Sequence, residues 1–452
     1  MFTRREILQV GCSSYFGLGL SGLLEKQVSA APAGARPRAK SVVLIFLGGG
    51  GSHLDTFDPK PLASETKGEF GTIATAVPGY QFSDRMPQLA QHADLFSIVR
   101  SMSHKDNRHL SGTHHFLTGS IQPFRGDSNQ DKSLNRDDWP SYGSALSYLQ
   151  PRTDNLPSQV TLPNDLVEGV LVWPGQHAGF LGPKYDPFVM KDDPNSADYK
   201  IRGLELHNGL NIERLNDRRK LLQDMDRQQK AITESTKGKQ YSLQEEMAFS
   251  MLTSPTLRTA LDINAEPAEV RERYGRHLYG QSLLLARRLV ELEMPVIQCN
   301  MGRIQTWDTH TDHFPRLKNM LPPLDQGIAA FLLDLKERGL LDQTLVICAG
   351  EFGRTPQISP LPQSPVPGRH HWAYAYSTLF AGAGVQGGQI IGETDKIGAY
   401  PNTRPYSPSD MGATIYTALG VDPHQMVPDR LNRPLPLNDG KVMDVLYTGA
   451  ES

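Results

Sequence analysis

The stretch from Thr344 to Pro356, TLVICAGEFGRTP, constrains the fold more than any other part of the chain. Strand-forming residues run from Thr344 to Ala349 and pass directly into Glu351, Arg354 and Pro356. Strands buried on both faces of a parallel sheet read as unbroken apolar runs. In an open α/β sheet, ligands bind just beyond the carboxyl ends of such strands, so a carboxylate and an arginine crowded there are placed for chemistry. The competing reading is a polar turn in which Glu351 pairs with Arg354 at the surface, an arrangement worth little to stability. Recurrence weighs between the two. Ser41 to Leu47 (SVVLIFL) is a second apolar run, closed by Gly48 to Gly51, and it is followed by Ser52, His53, Asp55 and Asp58.

Other segments alternate in the same way. A helical stretch from Met86 to Ala93 leads into the strand Phe96 to Met102, which opens into a histidine-dense segment read as a loop: His104, Asp106, Asn107, Arg108, His109, His114 and His115. A helix over Ser141 to Leu149 precedes strand-like pieces at Gln159 to Leu162 and Gly169 to Trp173. After Tyr279, a helix (Gln281 to Leu292), a strand (Pro295 to Met301) and a long amphipathic helix (Leu317 to Arg338, stopped by Gly339) lead to the Thr344 strand. A strand at Tyr376 to Ala381 and a capped helix at Ser409 to Leu419 close the pattern. Strands separated by helices predict an α/β fold with a doubly wound, mostly parallel sheet and helices on both faces. The charged, helically spaced middle of the chain, about residues 205–262, reads as a helical insertion whose charges form a solvated face.

Composition narrows the function. A chain of 452 residues with 38% hydrophobic content can bury a full core, and a net charge of -3 gives no basic field for a polyanion, so nucleic-acid binding is not expected. The first thirty residues read as an address: Arg4 and Arg5, a weakly apolar segment from Val10 to Leu24, and small residues ending near a cut at Ala30. This predicts export by the twin-arginine machinery to the periplasm or beyond, with an ordinary secretory signal or an uncleaved anchor as alternatives. The segment is too short and polar for a stable membrane span. Residues 31–40 then form a linker, and residues 41–450 a single domain. Cys299 and Cys348, each in a strand, read as buried free thiols.

Four polar clusters follow or precede apolar runs: Asp55 with Asp58; the histidines after Met102; Asp308 with His310 and His313; and Glu351 with Arg354, joined by His370 and His371. Carboxylates and imidazoles converging from several segments are what a hydrolytic metal site needs, because three or four ligands must surround one ion and leave a position open. Each cluster alone is equally a cap or a surface turn.

The segments SVVLIFLGGGGSHLDTFDPKP, HLSGTHHFLTG, WDTHTDHF, GEFGRTP and GRHHW resemble the signature blocks of the DUF1501 family, a bacterial domain of unknown function within the alkaline phosphatase and sulfatase superfamily. The resemblance spans about Ser41 to Tyr447. It implies an alkaline-phosphatase-like fold and a divalent metal, zinc, calcium or magnesium, held by some of Asp55, Asp58, Asp308, His310, Glu351 and His371. Glu351 stands where the superfamily has a metal-binding aspartate, and Phe352 where it has the adjoining histidine. Leu117-Thr118-Gly119 matches the end of the sulfatase nucleophile block, which places His109 at the nucleophile position as ligand or nucleophile, while the formylglycine motif is missing. Arg354 is then the candidate clamp for an anionic group. The expectation is an exported metal-dependent hydrolase of phosphate or sulfate esters, small or glycan-borne; the alternative is a non-catalytic exported protein on the same fold that recognises anionic glycans or partner proteins.

Overall fold

Eight strands make the central sheet: β1 (Ser41–Phe46), β2 (Phe96–Met102), β3 (Gln159–Leu162), β4 (Phe188–Val189), β5 (Val296–Asn300), β6 (Thr344–Ala349), β7 (Tyr376–Ala381) and β8 (Gln389–Ile391). They lie in the order β8-β2-β7-β6-β1-β5-β3-β4, and β7 is the one strand that runs against its neighbours. The sheet is therefore mostly parallel, as the apolar runs predict. The structure, a computed structural model, describes residues 39–123, 133–200 and 247–449, with residues 213, 214, 217 and 220 as isolated helical positions. The export signal, the start of the linker and most of the helical insertion fall outside the described residues.

β1 sits at the centre, paired in parallel with β6 on one side and β5 on the other. Its six residues are all buried, and the pleat divides them between two cores. Val43 and Ile45 face one core with helices α3 (Leu278–Glu291) and α4 (His313–Glu337). Val42, Leu44 and Phe46 face the other with α1 (His109–Thr118), α2 (Tyr142–Leu149) and α5 (Pro408–Ala418). Each fully buried aliphatic side chain contributes about 1.5–3 kcal/mol, so a strand apolar on both faces is stable only between two helical layers. The cysteines of β5 and β6 are buried and unbonded, and burial pushes both thiols upward.

Two expectations are corrected. The histidine-dense segment does not continue as a loop: from His109 it is α1, every residue of which is buried. Gly119, at φ 72°, ends α1 by returning its N–H to His115 O. Its large apolar residues Leu110, Phe116 and Leu117 are interleaved with His109, His114 and His115, so the segment offers no clean apolar stripe to a periodicity reading. The strand-like piece at 169–173 forms a hairpin of Val167–Glu168 with Leu171–Val172, outside the central sheet.

Candidate metal centre

The carboxyl ends of three neighbouring parallel strands supply most of the site. β1 delivers the glycine run Gly48 to Gly51, β5 leads through a loop to Asp308 and His310, and β6 leads to Glu351. Beyond β6, Gly353–Arg354 pairs antiparallel with His371–Trp372, which sets Arg354 opposite His371. His109 enters from the first residue of α1. The chain can close this tightly because of two glycines. A Cβ on Gly49 (φ +111°) would lie 2.5 Å from the Asp308 backbone nitrogen, and one on Gly50 (φ +85°) 2.7 Å from the Phe352 ring.

His109 is held between two carboxylates. Its Nδ1 lies 2.7 Å from Glu351 Oε1, and its Nε2 lies 3.2 Å from Asp308 Oδ2. The Nε2 atom is buried and too poorly aligned on Asp308 for a hydrogen bond. Asp308 Oδ1 is 3.2 Å from His371 Nε2, 3.1 Å from His310 Nε2 and 2.6 Å from an Arg354 Nη. The two imidazoles approach each other to 2.9 Å through Nε2. One donor atom each from His109, Asp308 and His371 lies within 4.8 Å of the others.

The outer atoms of these side chains are fixed as well. Glu351, fully buried, accepts the Gly49 N–H at 3.0 Å on each oxygen. His371 Nδ1 lies 2.8 Å from the Asn107 carbonyl, and the Asn107 side-chain oxygen accepts the Ala373 N–H. A carbonyl accepts only, so His371 Nδ1 donates to Asn107 and Nε2 is the atom turned toward Asp308. His310 Nδ1 contacts His370 Nδ1 at 2.7 Å, and His370 Nε2 meets Ser359 Oγ at 3.0 Å. Trp173 stacks on the His109 ring and Phe352 lies tilted against it, with centroids 5.4 and 5.2 Å away.

The electrostatics follow from this packing. Burial by itself would lower His109, but the carboxylates of Asp308 and Glu351 outweigh it and push the imidazolium up to about 9. Burial would raise Asp308, yet His109, His371 and Arg354 hold its carboxyl far below the usual range. Burial, with Arg354 and the other histidines, lowers His310 to about 4, which leaves it neutral at pH 7. His109 Nε2, which has no hydrogen-bond partner, lies with His371 Nε2 and the ionised Asp308 carboxylate around one spot, and these atoms form a donor set that fits a divalent cation once the cation displaces the His109 proton.

The profile of the family described as "Protein of unknown function (DUF1501)" matches residues 39–446. The chain belongs to this family. No curated protein matches it. Among solved structures, the DUF1501 chain is similar to the PsFucS1 sulfatase from Pseudoalteromonas sp. (14% identity, TM-score 0.38, covering 93% of this chain and 72% of that one). It is similar also to alkaline phosphatase from the Antarctic bacterium TAB5 (13%, TM-score 0.36, 85% and 98%) and to a protein in the alkaline phosphatase superfamily from Vibrio parahaemolyticus (13%, TM-score 0.40, 90% and 72%).

Other residues that the sequence singled out in this DUF1501 chain sit elsewhere. Asp55 Oδ2 meets Arg369 Nε at 2.8 Å, His313 Nε2 at 2.9 Å and Ser52 Oγ at 2.5 Å. Asp58 is bound to Lys60 at 3.0 Å, to Arg100 at 3.4 Å and to the Thr394 hydroxyl. Neither carboxylate faces the His109–Asp308–His371 group. Arg354 is fully buried and donates to the carbonyls of Gly49, Gly50 and Arg369 as well as to Asp308. Its donors tie the glycine loop to the site. Sequence reasoning missed Asn107, Gly49 and Trp173. Asn107 had a signal, since it lies between Asp106 and His109, but its use through a backbone carbonyl leaves no trace in residue type.

Proposed function

We propose that this protein is an exported metal-dependent hydrolase of phosphate or sulfate esters, with a divalent ion held by His109, Asp308 and His371 and joined by His310. The observation that carries the reading is the convergence of donor atoms from His109, Asp308 and His371 beside the carboxyl ends of β1, β5 and β6. An imidazole-rich set with one carboxylate suits zinc or another imidazole-binding transition metal better than calcium or magnesium, which prefer all-oxygen shells. Such an ion supplies Lewis-acid polarisation of an ester oxygen.

The chain's own residues do the rest. Glu351 orients His109 through Nδ1, and the Asn107 carbonyl orients His371 in the same manner. Trp173 and Phe352 pack against the buried His109 ring, which favours a ligand role for that residue over a nucleophilic one. Arg354, spent on carbonyls and on Asp308, fixes the position of the Asp308 carboxylate instead of clamping substrate. The export component rests on Arg4 and Arg5. Among the described residues, no helix is long and apolar enough to cross a membrane.

The test begins with metal content. Protein purified after export should carry near-stoichiometric metal, reduced in His371→Ala and His310→Ala, and should turn over aryl phosphate or aryl sulfate monoesters in a chelator-sensitive way. No bound metal in the wild type would sink the whole reading. Metal without turnover on any phosphate or sulfate ester would leave a binding protein on the same site. Arg4→Lys with Arg5→Lys should strand the chain in the cytoplasm; unchanged export would remove the twin-arginine component.

A further inference from the structure

A cleft of about 330 Å³ opens between the loop carrying Asp137 and Trp139, the helical turn Gly179–Leu181, and the turn of the hairpin that pairs Met426–Pro428 with Pro434–Pro436. None of the metal-centre residues lines it. Its floor is an aromatic corner: the Trp139 and Phe180 rings meet edge to face, 5.7 Å apart at 78°. The corner is rigid. Trp139 donates Nε1–H to the Pro436 carbonyl at 3.1 Å and its backbone N–H to His114 Nε2 at 3.2 Å, and the Phe180 N–H reaches Asp138 O at 3.0 Å.

The opposite wall is equally fixed. The Asp429 carboxylate accepts the N–H groups of Leu431 and Arg433 at 2.9 and 2.8 Å, and Arg433 Nε at 2.7 Å. This pinned turn holds Leu431 at 73% exposure at the cleft. Arg430 lies 3.6 Å from Asp137, linking the two walls, and the Arg430 and Arg433 side chains are 59% and 68% exposed. The rim thus carries two carboxylates and two guanidinium groups and is neutral overall.

We propose that this cleft binds a neutral sugar ring of a glycan. A pyranose has an apolar C–H face that stacks on an indole and a perimeter of hydroxyls that both donate and accept. An aromatic floor with matched guanidinium and carboxylate partners around it meets both requirements. A volume of this size lies within the usual range for small-ligand sites. The balanced rim offers no net attraction to a polyanion. The proposal does not rest on the metal-dependent reading.

Electrophoresis of the folded full-length protein through native gels containing hydroxyethyl cellulose, xylan, galactomannan or kappa-carrageenan tests it. The expected result is retardation by at least one neutral polymer, insensitive to high salt. Affinity should weaken about fivefold or more in Arg430→Ala/Arg433→Ala and in Leu431→Asp, the size of effect expected for lost rim contacts. Both variants alter exposed side chains, so thermal unfolding and metal content should match the wild type and separate lost binding from lost folding. The proposal is overturned if no neutral polymer retards the protein, if retardation is confined to carrageenan and vanishes with salt, or if both variants bind as well as the wild type.

Discussion

At the scale of single residues, the same side-chain type carries opposite duties according to what surrounds its polar atoms. Glu351 and Asp58 are both fully buried carboxylates in loops after strands. Glu351 faces a histidine whose other nitrogen is unpaired, whereas Asp58 is neutralised by Lys60 and Arg100. Glu351→Gln should therefore weaken metal affinity by about 10–100-fold, the usual cost of losing an outer partner of a metal-binding histidine, measured by competition with a chromophoric chelator. Asp58→Asn should leave metal affinity alone and lower stability by about 2–4 kcal/mol in denaturant unfolding, because two cations lose their buried partner. Asp55 adds a pH signature. Burial would raise its carboxyl, but Arg369, His313 and Ser52 hold it well below the usual range. Its contribution is thus complete above the unfolded carboxylate pKa of about 3.9 and is lost as the pH falls below that value. The place of Glu351 after an apolar run was legible; its contact with His109 was not, since that partner lies 242 positions away.

Among the elements, the strand-end loops and the long helix carry the consequences. Gly50 adopts a left-handed φ of +85° directly over Phe352, so Gly50→Ala meets both backbone strain and a side-chain clash. Stability should fall by about 2–4 kcal/mol in chemical unfolding, and metal affinity with it, because the same loop presents the Gly49 N–H to Glu351. Helix α4 makes a second kind of link. Its Asp325, 1% exposed, accepts the Gln88 and Leu89 N–H groups at 2.8 Å each, capping the short helix Pro87–Gln91. Burial pushes this carboxyl up to about 6 despite those two donors. The folded state then holds the proton more tightly than the unfolded chain, so stability falls as the pH rises from about 4 to about 6 and stays lower above that window. The loss is of the order of 3 kcal/mol, and Asp325→Asn should flatten that part of a stability–pH profile. An apolar helical pattern predicted α4, but an aspartate on its buried side reads in sequence only as an interruption.

For the whole molecule, the sheet and the site are coupled through long-range closure. Gly49 and Glu351 are 302 positions apart, yet the parallel pairing of β1 with β6 brings their loops together. A metal at this point binds the folded chain and not the unfolded one, so it should stabilise the protein by about 2.7 kcal/mol when free metal exceeds its dissociation constant a hundredfold. Chelation should lower the unfolding temperature measurably, and His371→Ala should abolish that response. The sequence by itself determined the mostly parallel sheet, the two-layered burial and the residue types of the site, because unbroken apolar runs and donors at strand ends are local properties. Only the tertiary structure decided which donors meet. It sent Asp55 and Asp58 to arginine and lysine partners and gathered His109, Asp308 and His371 around one point, because the role of a buried charge is set by the groups that fold against it from distant parts of the chain.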